Sequence, residues 1–323
     1  MTITFARELA DRTLDPALGA NSGSILENHP TQSATTVNGW GAVLFGVPFL
    51  AVGVWMSLAA LRVVNTGKHV PDAVVGIFGA LFFLGGAFFL IHGFLGVARK
   101  WRYARAAAQR PGEPWLYDCH WHPEGAAFSA FDAMIGRLVA ALVWSAFLVP
   151  FFWIGVHVRG ALIFAIFASL FGLAGLVFWW RWLQMLADLI RYGNSFLSYD
   201  SFPYSLGGTL RARLRAPHHV EDIDALTLTL RCVQEKYVTT GSGNNRSTRV
   251  VCYEIYKEET TLDRERLAGY AGAEIPVEFR VPGDQPSTNL ASAPPIYWEI
   301  QACGNSSKIN YEAYFLVPVY KAP

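Results

Sequence analysis

Between Trp40 and Trp182 the chain repeats one pattern four times: about 20 or more apolar residues closed by a short polar stretch, the length needed to cross a hydrocarbon layer at about 1.5 Å per helical residue. The runs predict membrane-crossing helices near residues 40–64, 72–98, 134–157 and 161–180. A core helix of a soluble protein gives an apolar run of only about 10–14 residues, so a soluble fold does not explain the set. Arg62, Asp72 and Arg137 are charged within these windows, each close enough to an end for its head to reach the lipid headgroups. The first run is about twice as long as a signal-peptide core, so it is expected to remain as a span, with no cleaved export signal.

From about Ser195 the pattern shortens to period-2 alternation bounded by Gly, Pro, Asn and Asp, which reads as strands. Thr209 to Leu214 alternates, as do Leu226, Leu228 and Leu230 with Thr227, Thr229 and Arg231; residues 250–256, 275–281, 296–302 and 311–319 follow. Gly241-Ser242-Gly243-Asn244-Asn245 tolerates positive φ, so 227–237 and 248–257 are expected to form a hairpin. The fold class is thus a transmembrane four-helix bundle, residues 40–194, followed by an all-β sandwich over 195–323. Residues 1–39, polar from Asn21 to Asn38, are expected to be a flexible tail. The loop 99–133 should continue the second helix through Arg99 to Arg110 and break at Pro111-Gly112, while Arg181 to Arg191 should continue the fourth helix as far as Gly193.

Composition agrees: of 323 residues 52% are hydrophobic and 16% charged, with a net charge of +1, which excludes disorder and gives no reason to expect nucleic acid. Charge placement carries more information than charge total. Arg99, Lys100, Arg102, Arg105 and Arg110 follow the second span with no acid among them, and Arg181 and Arg191 follow the fourth, so these flanks and both termini are expected in the cytoplasm. The five basic residues after the second span would also hold that segment against an anionic leaflet. Trp40, Trp101, Trp179, Trp180 and Trp182 fall at the same boundary, and Trp115 and Trp121 are read as holding an interfacial loop. Small residues four apart, Gly53 with Ser57, Gly76 with Ala80, Ala161 with Ala165 and Ser169, and Ala168 with Gly172, offer close helix contacts within the chain or between copies in a homo-oligomer.

Pro114-Trp115-Leu116 with Trp121, then Ile275-Pro276-Val277-Glu278-Phe279-Arg280-Val281-Pro282, Tyr297-Trp298-Glu299-Ile300 and residues 311–320, resemble a family of bacterial inner-membrane proteins labelled as a domain of unknown function. That resemblance implies an inner-membrane location and a soluble C-terminal domain, and brings no catalytic residue. The order of strand, Pro/Ser-rich loop and aromatic strand also resembles arrestin-type sandwiches, in which it connects neighbouring strands.

Asp118-Cys119-His120-Trp121-His122 is the sharpest chemical cluster, because Cys119, His120 and His122 are transition-metal ligand types. Their spacing is not that of C-x2-C or H-x3-5-H sites, so no metal and no cofactor is expected. Cys232 and Cys252 lie nearly equidistant from the hairpin turn, but a cytoplasmic domain should keep them and the other cysteines reduced. The Asn245-Arg246-Ser247 and Asn305-Ser306-Ser307 sequons are read there as turn residues. G-x-S-x-G, H-E-x-x-H and Walker lysine motifs are missing from the sequence, and His92 is the only titratable residue well inside a span. The reading is a non-enzymatic scaffold, sensor or accessory subunit that presents a cytoplasmic β-sandwich to a protein partner, with the lipid bilayer as its other partner. The alternatives are a small transporter or channel with a regulatory β domain, then a metalloenzyme using the 118–124 cluster.

Overall fold

A computed structural model of the chain describes residues 24–26, 29–32, 39–63, 72–240, 246–292, 294–306 and 310–321. Most of the expected tail, the first interhelical turn and the 241–245 hairpin connection lie outside these. Among the described residues four helices are long and apolar enough to cross a membrane: α1 (Gly39–Ala60), α2 (Asp72–Gln109), α3 (Ala130–His157) and α4 (Leu162–Tyr192). α2 runs on through the basic segment and stops ahead of Pro111, whose ring cannot continue a helix. α3 starts at Ala130, earlier than hydropathy suggests, because the Ser129 hydroxyl accepts from Asp132 N at 3.1 Å and caps it. Gly193, at φ 70°, closes α4 as the sequence predicts.

The helices pair as α1 with α2 and α3 with α4, and α2 meets α3 more lightly, through Phe78 against Phe147 and Phe151. Small residues permit the tight pairings: a Cβ on Gly53 would overlap the Phe83 backbone, and one on Gly155 would overlap Ala165. Gly172, in contrast, has nothing within 4 Å of where a Cβ would stand, although its partner Ala168 is buried.

The rest of the described chain builds two antiparallel sheets that share one core. The five-stranded sheet has the order β1 (Ser24–Leu26), β7 (Ser247–Asp263), β6 (Ala225–Thr240), β9 (Ile296–Asn305), β10 (Tyr311–Val317). The four-stranded sheet has the order β2 (Gly125–Phe128), β3 (Ser195–Tyr199), β5 (Thr209–Arg215), β8 (Glu274–Arg280), and a parallel pair of β4 (Tyr204–Ser205) and β11 (Val319–Tyr320) stands beside them. Leu210, Leu214, Ile275 and Phe279 of the smaller sheet meet Leu226, Leu230, Trp298 and Phe315 of the larger one, and Tyr192 at the end of α4 belongs to the same cluster.

Two elements correct the expected organisation. Ser24–Leu26, within the segment read as a flexible tail, is an edge strand on β7, with Leu26 opposite Cys252. Gly125–Phe128, within the loop 99–133, pairs with β3, so the β unit reaches outside 195–323. Both strands are too short for alternation to register, and their partners are remote in sequence.

β6 and β7 pair from Ala225 opposite Asp263 to Thr240 opposite Ser247, whereas β9 accompanies β6 only as far as Gln234. The last part of the hairpin is therefore a free-standing ribbon, on which Tyr237 is exposed. β6 starts beside the Arg191–Asp222 ion pair (2.7 Å) at the end of α4, so the ribbon points away from the helices.

Candidate functional site

The 114–128 segment is fastened to the β unit by the residues that drew attention in the sequence. Asp118 is buried and accepts from Tyr320 OH at 2.9 Å through Oδ2 and from Ala291 N at 2.6 Å through Oδ1. Trp121 Nε1 donates to the same Tyr320 hydroxyl at 3.0 Å, and the Trp115 ring lies 5.9 Å from the Tyr320 ring. Trp115 and Trp121, expected to hold an interfacial loop, thus pack on the β unit. A cleft of about 390 Å³ opens beside this clip, lined by Tyr117, Asp118, Thr288, Asn289, Tyr320 and Lys321 among others. Both Asp118 oxygens are engaged in the clip, which suits the carboxylate to holding the loop.

The metal candidates do not converge. The His120 and His122 rings meet edge to face at 5.0 Å, but among the described residues no three His, Cys, Asp or Glu side chains group closely enough to hold an ion. Burial, then the neighbouring Asp118 charge, pushes the Cys119 thiol up, away from the thiolate form a metal needs. Cys232 and Cys252 are free and are not cross-strand partners: Cys232 opposes Tyr256, and Cys252 opposes Glu235. A bulge between Cys232 and Val233 switches the facing of β7, so Cys232 points into the shared core and Cys252 onto the outer face. Burial pushes the Cys232 thiol up to about 12. Maleimide at neutral pH should therefore leave Cys232 unmodified in the folded protein and modify it only in denaturant, as read by mass spectrometry of its peptide.

The basic residues Arg99, Lys100, Arg102, Arg105 and Arg110 are exposed, and Arg110 pairs with Glu113 at 3.5 Å. Trp40, Trp101 and Trp180 are exposed on the helices. Trp179 and Trp182 instead serve the bundle, donating to Ser145 Oγ at 3.2 Å and to Met134 Sδ at 3.2 Å. His92 is exposed on α2, its ring 4.2 Å from that of Phe88.

The most elaborate polar arrangement is one that strand patterns alone present as a solvated face. On the outer side of the five-stranded sheet, Arg231, Glu235 and Glu299 are all buried, at 8%, 0% and 2% exposure. Arg231 Nε stands 3.5 Å from Glu254 Oε2 and 3.9 Å from Glu299 Oε1, and its Nη2 donates to Gln301 Oε1. Gln301 Nε2 donates to Glu312 Oε1 at 2.9 Å and to Tyr314 OH at 3.0 Å. The cover is the segment around β1. Ser24 Oγ donates to Glu254, Gln32 N donates to Glu235, and Tyr297 OH donates to Pro30 O at 3.3 Å. His29 fits between Tyr297, stacked at 6.5 Å, and Tyr314, edge-on at 5.5 Å, with its Nε2 3.1 Å from Glu299 Oε1. Burial and nearby carboxylates push the Tyr297 and Tyr314 phenols up, so both remain neutral donors. The sequence signal for this face was present in Val233, Cys252 and Tyr297, apolar groups on a side that alternation assigned to water.

No family model matches the chain, and no curated protein matches it. Among solved structures, Spo0M, a sporulation control protein from Bacillus subtilis, is similar at 11% identity with a TM-score of 0.25. The match covers 40% of this chain and 49% of that one, about half the length of Spo0M, and a likeness at that level carries no argument about fold or function.

Proposed function

We propose that the chain is a non-enzymatic platform of a bacterial inner membrane, whose four helices present an immunoglobulin- or arrestin-like sandwich to a protein partner in the cytoplasm. One observation carries this reading: the β unit is clamped to the helices rather than tethered. β2 enters its smaller sheet from the α2–α3 connection, the Asp118–Tyr320 clip holds the same connection, and Arg191 at the end of α4 pairs with Asp222. A sheet held in one pose, with a ribbon projecting from it, suits recognition through edges and end loops. Cytoplasmic placement is supported by the cationic flanks Arg99–Arg110 and Arg181–Arg191 on the side where the β unit lies.

Two measurements test the reading. A photo-crosslinking residue at Tyr237 should yield a discrete protein adduct in intact cells, whereas the same residue at Leu44, on the outer face of α1, should yield lipid. Tyr237→Cys should resist a membrane-impermeant maleimide until cells are permeabilised. Labelling of intact cells overturns the placement, and absence of a protein adduct at Tyr237 overturns the platform.

A further inference from the structure

The cover over the outer sheet face is slight, and it fits its charged floor imperfectly. β1 is three residues long, and Ile25 at its middle is 44% exposed. Leu26 packs against the cluster of Val233, Cys252 and Tyr297, and three positions later His29 reaches Glu299. Glu235, Glu254, Glu299 and Glu312 share this face with Arg231, while Lys257 is already paired with Glu259 at 2.7 Å. Glu299 Oε1, Arg231 Nε and His29 Nε2 are buried without a well-directed hydrogen bond. Buried charges left in that state are costly, so a longer cationic side chain able to direct a hydrogen bond at Glu299 would suit this face better.

We propose that this face is a docking groove for an extended peptide bearing a branched apolar residue and, three positions later, a cationic side chain, and that residues 24–26 and 29–32 occupy it as an intramolecular ligand which such a peptide displaces. The proposal rests on reading the β unit as a protein-recognition module. Pairing along the free edge of β7 supplies affinity, and the Leu26 and His29 seats supply selectivity. The cover belongs to the same chain as the groove, so it competes intramolecularly and at a raised effective concentration. An external peptide therefore binds weakly to the resting chain and tightly to an opened one.

The test uses the full-length protein in lipid nanodiscs and a fluorescein-labelled peptide with the sequence of residues 22–33. A Leu26→Pro/His29→Ala chain, whose cover can neither pair nor plug, should bind that peptide about a hundredfold more tightly than the unaltered chain. A His29→Arg peptide should bind more tightly still, and a His29→Glu peptide about tenfold or more weakly. Leu26→Cys places a thiol opposite Cys252, within reach of a disulfide across paired strands. Oxidation of that chain should abolish peptide binding and reductant should restore it, a comparison made on one folded molecule. Equal peptide affinity for closed and opened chains, or indifference to His29→Glu, overturns the groove. Peptide binding without a protein adduct at Tyr237 removes the platform and leaves the groove, and an adduct without peptide binding does the reverse.

Discussion

Trp298→Ala will cost the β unit about 3–5 kcal/mol, the largest loss expected from any single truncation in this chain. Trp298 is fully buried on β9 at the junction of both sheets, its ring 5.5 Å from that of Tyr256, and its Nε1 donates to Pro286 O at 2.9 Å. Truncation removes a large apolar surface, opens a cavity the strands cannot collapse into, and leaves the Pro286 carbonyl without its donor. For a unit of this size the unfolding midpoint should fall on the order of 10 °C. The buried Cys232 gives a convenient reading, since a thiol-reactive fluorophore reports the temperature at which the core opens. A midpoint within about 2 °C of the unaltered protein would mean that the two sheets do not share one core at this point.

Asp118→Ala follows, at about 2–3 kcal/mol, because it strips the partner from the buried Tyr320 hydroxyl and from the partly buried Ala291 N at once. The effect should be local. Protease cleavage between Arg110 and Glu124 should accelerate well before the core opens. Tyr320→Phe removes the same hydroxyl, so the pair should be strongly non-additive, with the double variant little worse than Asp118→Ala alone. Additive losses would show that Asp118 and Tyr320 act separately and that the clip is not one unit.

The parts of the fold that reach across a short distance in sequence were legible. Twenty-odd apolar residues announce a membrane helix regardless of neighbours, and Pro111 and Gly193 mark where two of the helix ends fall, whereas the Ser129 cap that starts α3 four residues before its apolar run was not read. Strands such as Thr209–Arg215 and Glu274–Arg280 bury every second residue and could be read directly. The illegible parts depend on remote pairing. Nothing in Gly125–Phe128 says that Ser195–Tyr199 waits for it, and nothing in Ser24–Leu26 points to an edge more than two hundred residues away. Cys232 and Cys252 look symmetric about the hairpin turn, and only the register and the bulge show that they face opposite ways. Trp115, Trp121, Trp179 and Trp182 have the composition of a lipid boundary, but an indole with a specific acceptor is fixed by that acceptor. The candidate site was least visible, because a polar face signals water unless one knows which segment lies over it.

The pairing of β2 with β3 has a consequence for how the chain is made. These strands flank α3 and α4, so they can meet only after that helical hairpin has crossed the bilayer and returned. A nascent chain whose fourth helix stalled in the translocation machinery would leave β3 and every later strand on the opposite side from β2, so the smaller sheet would lack its β2 edge. Completion of the smaller sheet is thus conditional on correct insertion, and a misinserted copy would keep β3 as an unpaired edge.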